Sequence, residues 1–414
     1  MNNFSHKRLT NAYIVDKSLF IKDFMTQMGQ ANLIARPGLF GKSFNMGMLK
    51  SYLEIGADPA LFKGLAIEGE TGIYDRHFGK YAVLHLDLAQ VKGDSFEECL
   101  NSISLCLKGL FEGELKYLLK SDRLSAVNKR NLARISGLYE KIDTETAKPL
   151  SEAPDETYLA RSLNDLTSIL WEHHGGSRVA VFIDDYDSMM NRAVGQGYAQ
   201  ELLDFFSSFY GYVCKGNEQV GFVLMTGRMK IGMESFSEGA NNVVGSGVLE
   251  PRYSDRFGFT EDEVAKVLTD FGCFDELNEI KENYGGYLFG KTQIYNPAAV
   301  LRLCGALEKP VAYWAGASGN DLLELVISNS ESWRLLSELE ALAFGGTAKF
   351  WLRDCIRFGE LDDANALWYV LVHSGYLTPC GWRSEEYRVP NAKALVELGK
   401  VVDIIRSERS RRLS

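Results

Sequence analysis

Apolar positions along this chain follow two rhythms. Up to about Glu250, continuous apolar runs alternate with stretches whose apolar residues recur every three or four positions. The runs Ala31–Ala35, Tyr81–Leu88, Val179–Asp184, Val220–Thr226 and Val243–Leu249 predict strands. The stretches Ser43–Leu53, Ser95–Leu119, Glu156–His173 and Gly197–Val213 predict helices. Strands alternating with helices imply a mostly parallel sheet with helices on both faces, and unbroken apolar runs suit strands buried on both sides. Residues 120–155 are polar and read as an insertion.

Beyond Pro251 the pattern turns helical. Thr260 and Glu263 have the spacing of a capping box ahead of Val264, Val267 and Leu268. Farther on, Leu367–Val372 reads as an apolar helix, Ser374–Thr378 as a break, Gly381–Val389 as a hairpin, and a last helix starts near Asn391. That succession is winged-helix-like. The expected units are an α/β domain over 1–250, a helical lid over 251–310 and a helical, winged-helix-like α+β region over 311–414.

Composition narrows the class. The chain has 414 residues and 46% apolar content, enough for two or three domains and a large core. No apolar run is long enough to span a membrane, and Met1–Lys7 is too polar for a signal peptide. Seven scattered cysteines without a C-x-x-C pair argue against a zinc ribbon or a disulfide framework and suit a reducing, cytoplasmic setting. A net charge of −10 argues against a surface that binds nucleic acid throughout. The four arginines between Arg406 and Arg412 read as a solvated terminus.

Two strings have the form of a phosphate-binding loop. Gly285–Thr292 reads GGYLFGKT, a full match to G-x-x-x-x-G-K-[ST], whereas Arg36–Ser43 reads RPGLFGKS and lacks the first glycine. Such a loop must leave a buried strand and open a helix, so that backbone N–H groups and the helix N-terminus meet the phosphates. Only Arg36–Ser43 lies between an apolar run, Ala31–Ala35, and a plausible helix face. GGYLFGKT follows what reads as a helix end and runs into Pro297, which disfavours helix at Asn296. Within Arg36–Ser43, Lys42 would reach the β- and γ-phosphates, Ser43 would offer its hydroxyl to Mg²⁺, and Gly41 and Gly38 would let backbone come close.

A second element follows the run Val179–Ile183. Asp184, Asp185 and Asp187 crowd the end of an apolar strand, where like charges repel unless a cation joins them. Asp184 would hold Mg²⁺, directly or through water, and Asp185 would orient an attacking water. At the end of the next strand, Thr226 could sense the γ-phosphate, and Arg228 or Lys230 could neutralise its charge. Asp87, at another strand end, suits either the nucleotide's surroundings or a helix N-cap. His173–His174 reads as a helix C-terminus where imidazolium suits the dipole.

In this order, these elements resemble the AAA-ATPase-like family of P-loop proteins. Tyr13–Ser18 is similar to its Y-V-D-K-T opening, Arg36–Ser43 to its R-P-R-R-F-G-K-S loop, and Ile183–Asp187 to I-D-E-Y-D. Thr226-Gly227, Asn241-Asn242, Pro251-Arg252-Tyr253, Gly258–Glu261, Tyr284–Tyr287, Tyr295-Asn296-Pro297, Tyr313-Trp314-Ala315 and Ser374–Thr378 follow in family order. The family's own loop also lacks the first glycine, and its Y-N-G-Y to Y-N-P segment contains GGYLFGKT. Three departures matter. The family's paired loop arginines are Gly38 and Leu39 here, its acidic Glu is Asp185, and no D-(x)n-[DE]-x-K constellation follows Pro390, so nuclease activity is not expected. An aspartate draws the carboxylate back by about 1.5 Å, and misplacement on that scale costs on the order of 100-fold in rate.

The expectation is a P-loop NTPase of RecA/ASCE type that takes ATP and Mg²⁺. Its site residues would be Arg36, Pro37, Gly38, Phe40, Gly41, Lys42, Ser43 and Thr226 for the nucleotide, Ser43 and Asp184 for the metal, and Asp185, Lys42 and Arg228 for chemistry. Two hypotheses stay open: slow hydrolysis used as a switch, or a non-hydrolysing module that keeps the fold for a protein partner, a second copy or nucleic acid. A third places DNA on the winged-helix-like part.

Overall fold

Each central strand sends alternate residues to opposite faces. In the computed structural model, which describes residues 4–137, 155–233, 243–306, 322–323, 326–327, 332–361 and 363–413, five strands form one parallel sheet. They are β1 (Ala31–Ala35), β2 (Ala82–Asp87), β3 (Val179–Asp184), β4 (Val220–Gly227) and β5 (Val243–Ser246), in the order β2-β3-β4-β1-β5. Val179, Val181 and Ile183 enter a core shared with helices Phe96–Leu110, Glu156–His173 and Ala199–Phe209. Ala180 and Phe182 enter the opposite core, against helices Leu19–Gln27 and Lys42–Leu53. Burial on both faces is why the strands carry no polar alternation. Each such Val, Ile or Phe contributes about 1.5–3 kcal/mol on leaving water.

The helix ends differ from expectation for local reasons. Ser95 caps its helix by accepting the Glu98 N–H at 3.2 Å, but the helix stops at Leu110 and relaxes through a π turn and a 3₁₀ turn to Lys120. Gly109 and Gly113 weaken the ladder there. Gly197, at φ 81°, closes the helix Met190–Gln196 instead of opening the next one. Part of the expected insertion is core: Leu132 and Ile135 of helix Ala126–Gly137 join the sheet's apolar cluster. Residues 138–154, the pair Asn241-Asn242 and Tyr313-Trp314-Ala315 lie outside the described residues.

Past Pro251 the expected capping box is present, with Thr260 and Glu263 bonded reciprocally over helix Glu261–Phe271. The stretch is not wholly helical. β6 (Tyr287–Phe289) and β7 (Thr292–Ile294) pair as an antiparallel hairpin between helices Leu277–Tyr284 and Pro297–Ala306. This hairpin is the GGYLFGKT string. Its glycines answer to packing: an added Cβ would meet Tyr295 at Gly285, the Pro390 carbonyl at Gly286, and the Glu250–Pro251 backbone at Gly290. Asn296 caps the following helix by accepting the Ala298 and Ala299 N–H groups, with Pro297 at the first helical position.

The C-terminal part holds the expected apolar helix within Ala364–His373 and a last helix, Ala392–Leu413, capped by Asn391. β8 (Thr347–Lys349), β9 (Thr378–Pro379) and β10 (Glu386–Arg388) make an antiparallel sheet in the order β8-β10-β9. Phe350 stacks between Trp368 and Tyr387 at 4.4 and 4.2 Å. The core of this part continues into Phe40, Met229 and Ile231, which belong to the segments after β1 and β4. The C-terminal part is therefore packed directly on the carboxyl edge of the parallel sheet.

The hairpin glycines give a direct test. Gly286 sits at φ 80° with the Pro390 carbonyl against it. Gly286→Ala is expected to lower the unfolding free energy by about 2–4 kcal/mol, read by denaturant unfolding. A phosphate-loop role for this string would instead leave stability nearly unchanged.

Candidate functional site

The loop after β1 is rooted by its first residue. The Arg36 side chain is fully buried and donates to the carbonyls of Ala35 and Ser246, both at 2.8 Å, and of Arg252 at 3.0 Å. It lies over the Phe257 and Phe289 rings, and its Nε has no partner. Burial lowers the guanidinium pKa to about 10, against the opposing pull of Glu250, so it stays charged at neutral pH. This cation is committed to backbone carbonyls. Phe40 is likewise an anchor, with its ring 5.2 Å from Tyr287 and 5.1 Å from Phe289.

Beyond that root the loop turns sharply. Leu39 is in the left-handed region at φ 69° and remains 38% exposed, an uncommon state for a branched side chain. Gly41 follows at φ 89° as the N-cap of helix Lys42–Leu53, and an added Cβ there would touch nothing. Its requirement is conformational. The helix N-terminus then faces a cleft of about 170 Å³ lined by Gly38, Gly41, Lys42, Ser43, Asp185 and Arg228, with Leu39 and Phe44 at its margin.

Lys42 is buried and donates from Nζ to the carbonyls of Arg36 at 3.0 Å and Pro37 at 3.1 Å. Burial lowers its pKa, and Asp185 opposes that most strongly. Burial raises the pKa of Asp185, with Lys42 opposing. Asp185 is itself left-handed, at φ 51°. Two strained non-glycine residues thus line one small cleft, the kind of place where strain is stored at functional sites.

The remaining predicted residues take different positions. Asp184 is 2% exposed and lies behind the cleft wall, where it accepts the Thr226 hydroxyl and the Asp185 N–H. Thr226 therefore orients a carboxylate. Asp187 is also buried and accepts the N–H groups of Arg228 at 2.9 Å and Met229 at 3.1 Å, which sets the turn that carries Arg228. Lys230 leaves the cleft altogether. It bonds Glu250 at 2.5 Å and Asp354 at 2.6 Å. Its backbone N–H donates to the Tyr369 hydroxyl, and its carbonyl accepts from that hydroxyl and from the Ile356 N–H.

Asp87 pairs in register with Asp184, but its side chain is exposed and accepts the Ala89 N–H in a turn, which makes it neither helix cap nor cleft residue. His173 and His174 do end a helix, yet burial lowers both pKa values, which disfavours the expected imidazolium. Among the described residues no three His, Cys, Asp or Glu side chains could together hold a metal.

A second, larger cavity of about 440 Å³ adjoins the cleft and shares Leu39, Gly41 and Phe44 with it. Tyr13 and Val15 of the N-terminal segment line one part, and Phe259, Leu301 and Arg302 another. Lys17 fixes this assembly. It is buried, and bonds Glu263 at 2.5 Å and the Asp255 carbonyl at 2.7 Å. The chamber was not legible in the sequence, because its walls come from four segments far apart along the chain.

A family model described as a predicted AAA-ATPase matches residues 1–237, a span that includes the loop, the carboxylates and Arg228. An uncharacterized protein in the vnfD 5' region of Azotobacter chroococcum mcd 1 is 25% identical over 296 residues, which cover 70% of this chain. The match takes in 48% of that relative's length, so the chain spans about half of it.

Asp187 gives this region a pH signature. Burial, with Asp185 adding to it, raises its pKa from 3.8 to about 6. The folded state thus holds this proton more tightly than the unfolded chain. The contribution is complete below about pH 4 and is lost as pH rises to about 6. Asp187→Asn keeps an acceptor for both N–H groups and removes the titration. Its stability relative to wild type is expected to rise by on the order of 2–3 kcal/mol between about pH 4 and 6.5. Paired unfolding curves check this, and a pH-independent difference would contradict it.

Proposed function

The chain belongs to the AAA-ATPase-like family, and on that premise we propose that the small cleft takes the phosphates of ATP together with Mg²⁺. One observation carries the reading: Lys42, Ser43, Asp185 and Arg228, from three separate segments, line a single cleft at a helix N-terminus on the carboxyl edge of a parallel sheet. That edge, with the N–H groups of helix Lys42–Leu53 turned toward it, suits an anion.

Each residue has a distinct task. The Lys42 ammonium exchanges the Arg36 and Pro37 carbonyls for phosphate oxygens. Arg228 neutralises charge from the segment after β4, and Gly38 and Gly41 bring backbone close. Ser43 and Asp184 are hard oxygen donors that suit Mg²⁺, which is held by one or two protein oxygens plus phosphates and water. When bound, the metal neutralises phosphate charge. Asp184 lies behind the wall, so its hold would pass through water. Asp185 faces the cleft and orients the attacking water. With the shorter acid at that position, hydrolysis is slow and suits a nucleotide-dependent switch. The nucleoside takes the adjoining chamber, against Phe44 and Phe259. Residues 251–310 serve as its lid, and 311–414 as a winged-helix-like unit beyond it.

The second reading is a non-hydrolysing interaction module for a protein partner or nucleic acid. Lys42 held by loop carbonyls and the absence of arginines at 38 and 39 favour it.

Titration with a fluorescent ATP analogue, with and without Mg²⁺, separates these readings. Wild type is expected to bind, and Lys42→Ala to bind about 10–100-fold more weakly, the worth of one or two charge-assisted hydrogen bonds. Absence of wild-type binding, or binding indifferent to Lys42→Ala, refutes the ATP reading. Slow phosphate release abolished by Asp185→Asn would exclude the non-hydrolysing module.

A further inference from the structure

Asn45 sits at the fourth position of helix Lys42–Leu53, one turn in from Lys42, and is 2% exposed. Asparagine is a weak helix former and is seldom buried unless its amide is satisfied. Only one end of this amide is. Nδ2 donates to the Arg256 carbonyl at 2.8 Å, and Oδ1 accepts from no described residue. Nor is Oδ1 sealed inside the protein, since Asn45 lines the large chamber.

The bond to Arg256 fixes which end of the amide meets that space. Its carbonyl belongs to a turn held by Lys17 on the Asp255 carbonyl at 2.7 Å and by the Gly258 N–H on the Phe40 carbonyl at 3.0 Å. Were the amide reversed, two carbonyl oxygens would face each other. Other polar side chains on the chamber wall are engaged elsewhere: Lys17 by Glu263, Arg256 by Asp23 and Tyr13 by Asp270. The chamber therefore presents an acceptor. A group bound against it must donate, and an anion is disfavoured at that spot.

On the reading that the cleft holds a triphosphate, we infer that Asn45 Oδ1 accepts a ribose hydroxyl and makes the site select ribonucleotides. Helical side chains lean toward the helix N-terminus, so the Asn45 amide lies over the turn that carries Gly41 and Lys42. With phosphates at that N-terminus, the sugar is the next group along a nucleotide, and the base lies farther out. The sugar also carries two neighbouring hydroxyl donors. Gly41 and Phe44 line both cleft and chamber, whereas Asn45 lines the chamber alone. The amide thus stands just past the place where a nucleotide would cross from one to the other.

Calorimetric titration of the full chain with unlabelled ligands in Mg²⁺ tests this. The ligands are ATP, 2′-deoxy-ATP, 3′-deoxy-ATP, purine riboside triphosphate, which lacks the 6-amino group, and inorganic tripolyphosphate. At least one deoxy analogue is expected to bind about 3–10-fold more weakly than ATP, the worth of one neutral hydrogen bond. Asn45→Leu is expected to bind ATP and both deoxy analogues alike. Asn45→Asp keeps an acceptor and is expected to keep the preference at lower overall affinity. Equal wild-type binding of ATP and both deoxy analogues would overturn the assignment, and that series needs no variant to fold. A preference that survives in Asn45→Leu would overturn it too, as would an Asn45→Leu penalty that vanishes with the analogue lacking the 6-amino group. Tripolyphosphate bound as tightly as ATP would overturn it while sparing the phosphate cleft. Failure of wild type to bind any of these ligands would instead refute the ATP reading, and this assignment with it.

Discussion

A buried guanidinium without a contacting carboxylate governs how this molecule is arranged. Arg36 ends β1, and its planar fork reaches carbonyls on β5 and on the segment after Pro251. A charge so placed is costly unless hydrogen bonds satisfy it, and here the fork does so with backbone that must itself be satisfied. The bonds join the phosphate-type loop to the strand beside it and to the chain that leads into the hairpin. Lysine could not replace this, since one ammonium cannot span the same set of carbonyls in a plane. With its root held, the loop is free to be strained at Leu39 and open at Gly41.

The cleft is a contest between burial and charge. Asp184, Asp185 and Asp187 stand against Lys42 and Arg228, so the local balance is negative before any ligand arrives. Each acid is stabilised differently. Thr226 and a backbone N–H hold Asp184, the turn of Arg228 and Met229 holds Asp187, and Asp185 depends on Lys42. Lys42 is shared in turn with loop carbonyls. A phosphate would compete for it with partners that are good but neutral, whereas a divalent cation would relieve the acids. On the proposed reading, nucleotide and metal would therefore fit this cleft better together than either would alone.

How much of this was legible follows from where the information lies. β1 to β4 were visible because burial on both faces leaves a nearly unbroken apolar run between helical stretches, whereas β5, at one edge, is only partly buried. The loop at Arg36 was separated from GGYLFGKT by its neighbours rather than by its letters. The hairpin was hidden because its glycines serve close backbone approach to Pro390 and Pro251, contacts made across long sequence distances. The same reason hid the tasks of Arg36, Phe40 and Thr226. A residue type and a spacing say which chemistry a side chain can do, and only packing says which way it points. Lys230 illustrates the limit. Two residues from Arg228 and equally basic, it is drawn off by Glu250 and Asp354.

That divergence between Arg228 and Lys230 makes the segment after β4 the joint of the molecule. Gly227 is obligatory, since a Cβ there would overlap Tyr186 and Asp187. Arg228 then enters the cleft, Met229 enters the C-terminal core, and Ile231 bridges to Ile356. Tyr369 closes the joint from the C-terminal side, with His373 stacked on it at 4.0 Å. Burial lowers the His373 pKa to about 3, so this stack is neutral at physiological pH and adds no charge beside Lys230. Five consecutive residues thus serve the cleft, the core and the ion cluster in turn. A displacement of Arg228 cannot stay local, because close packing on both sides leaves the backbone no slack in which to absorb it.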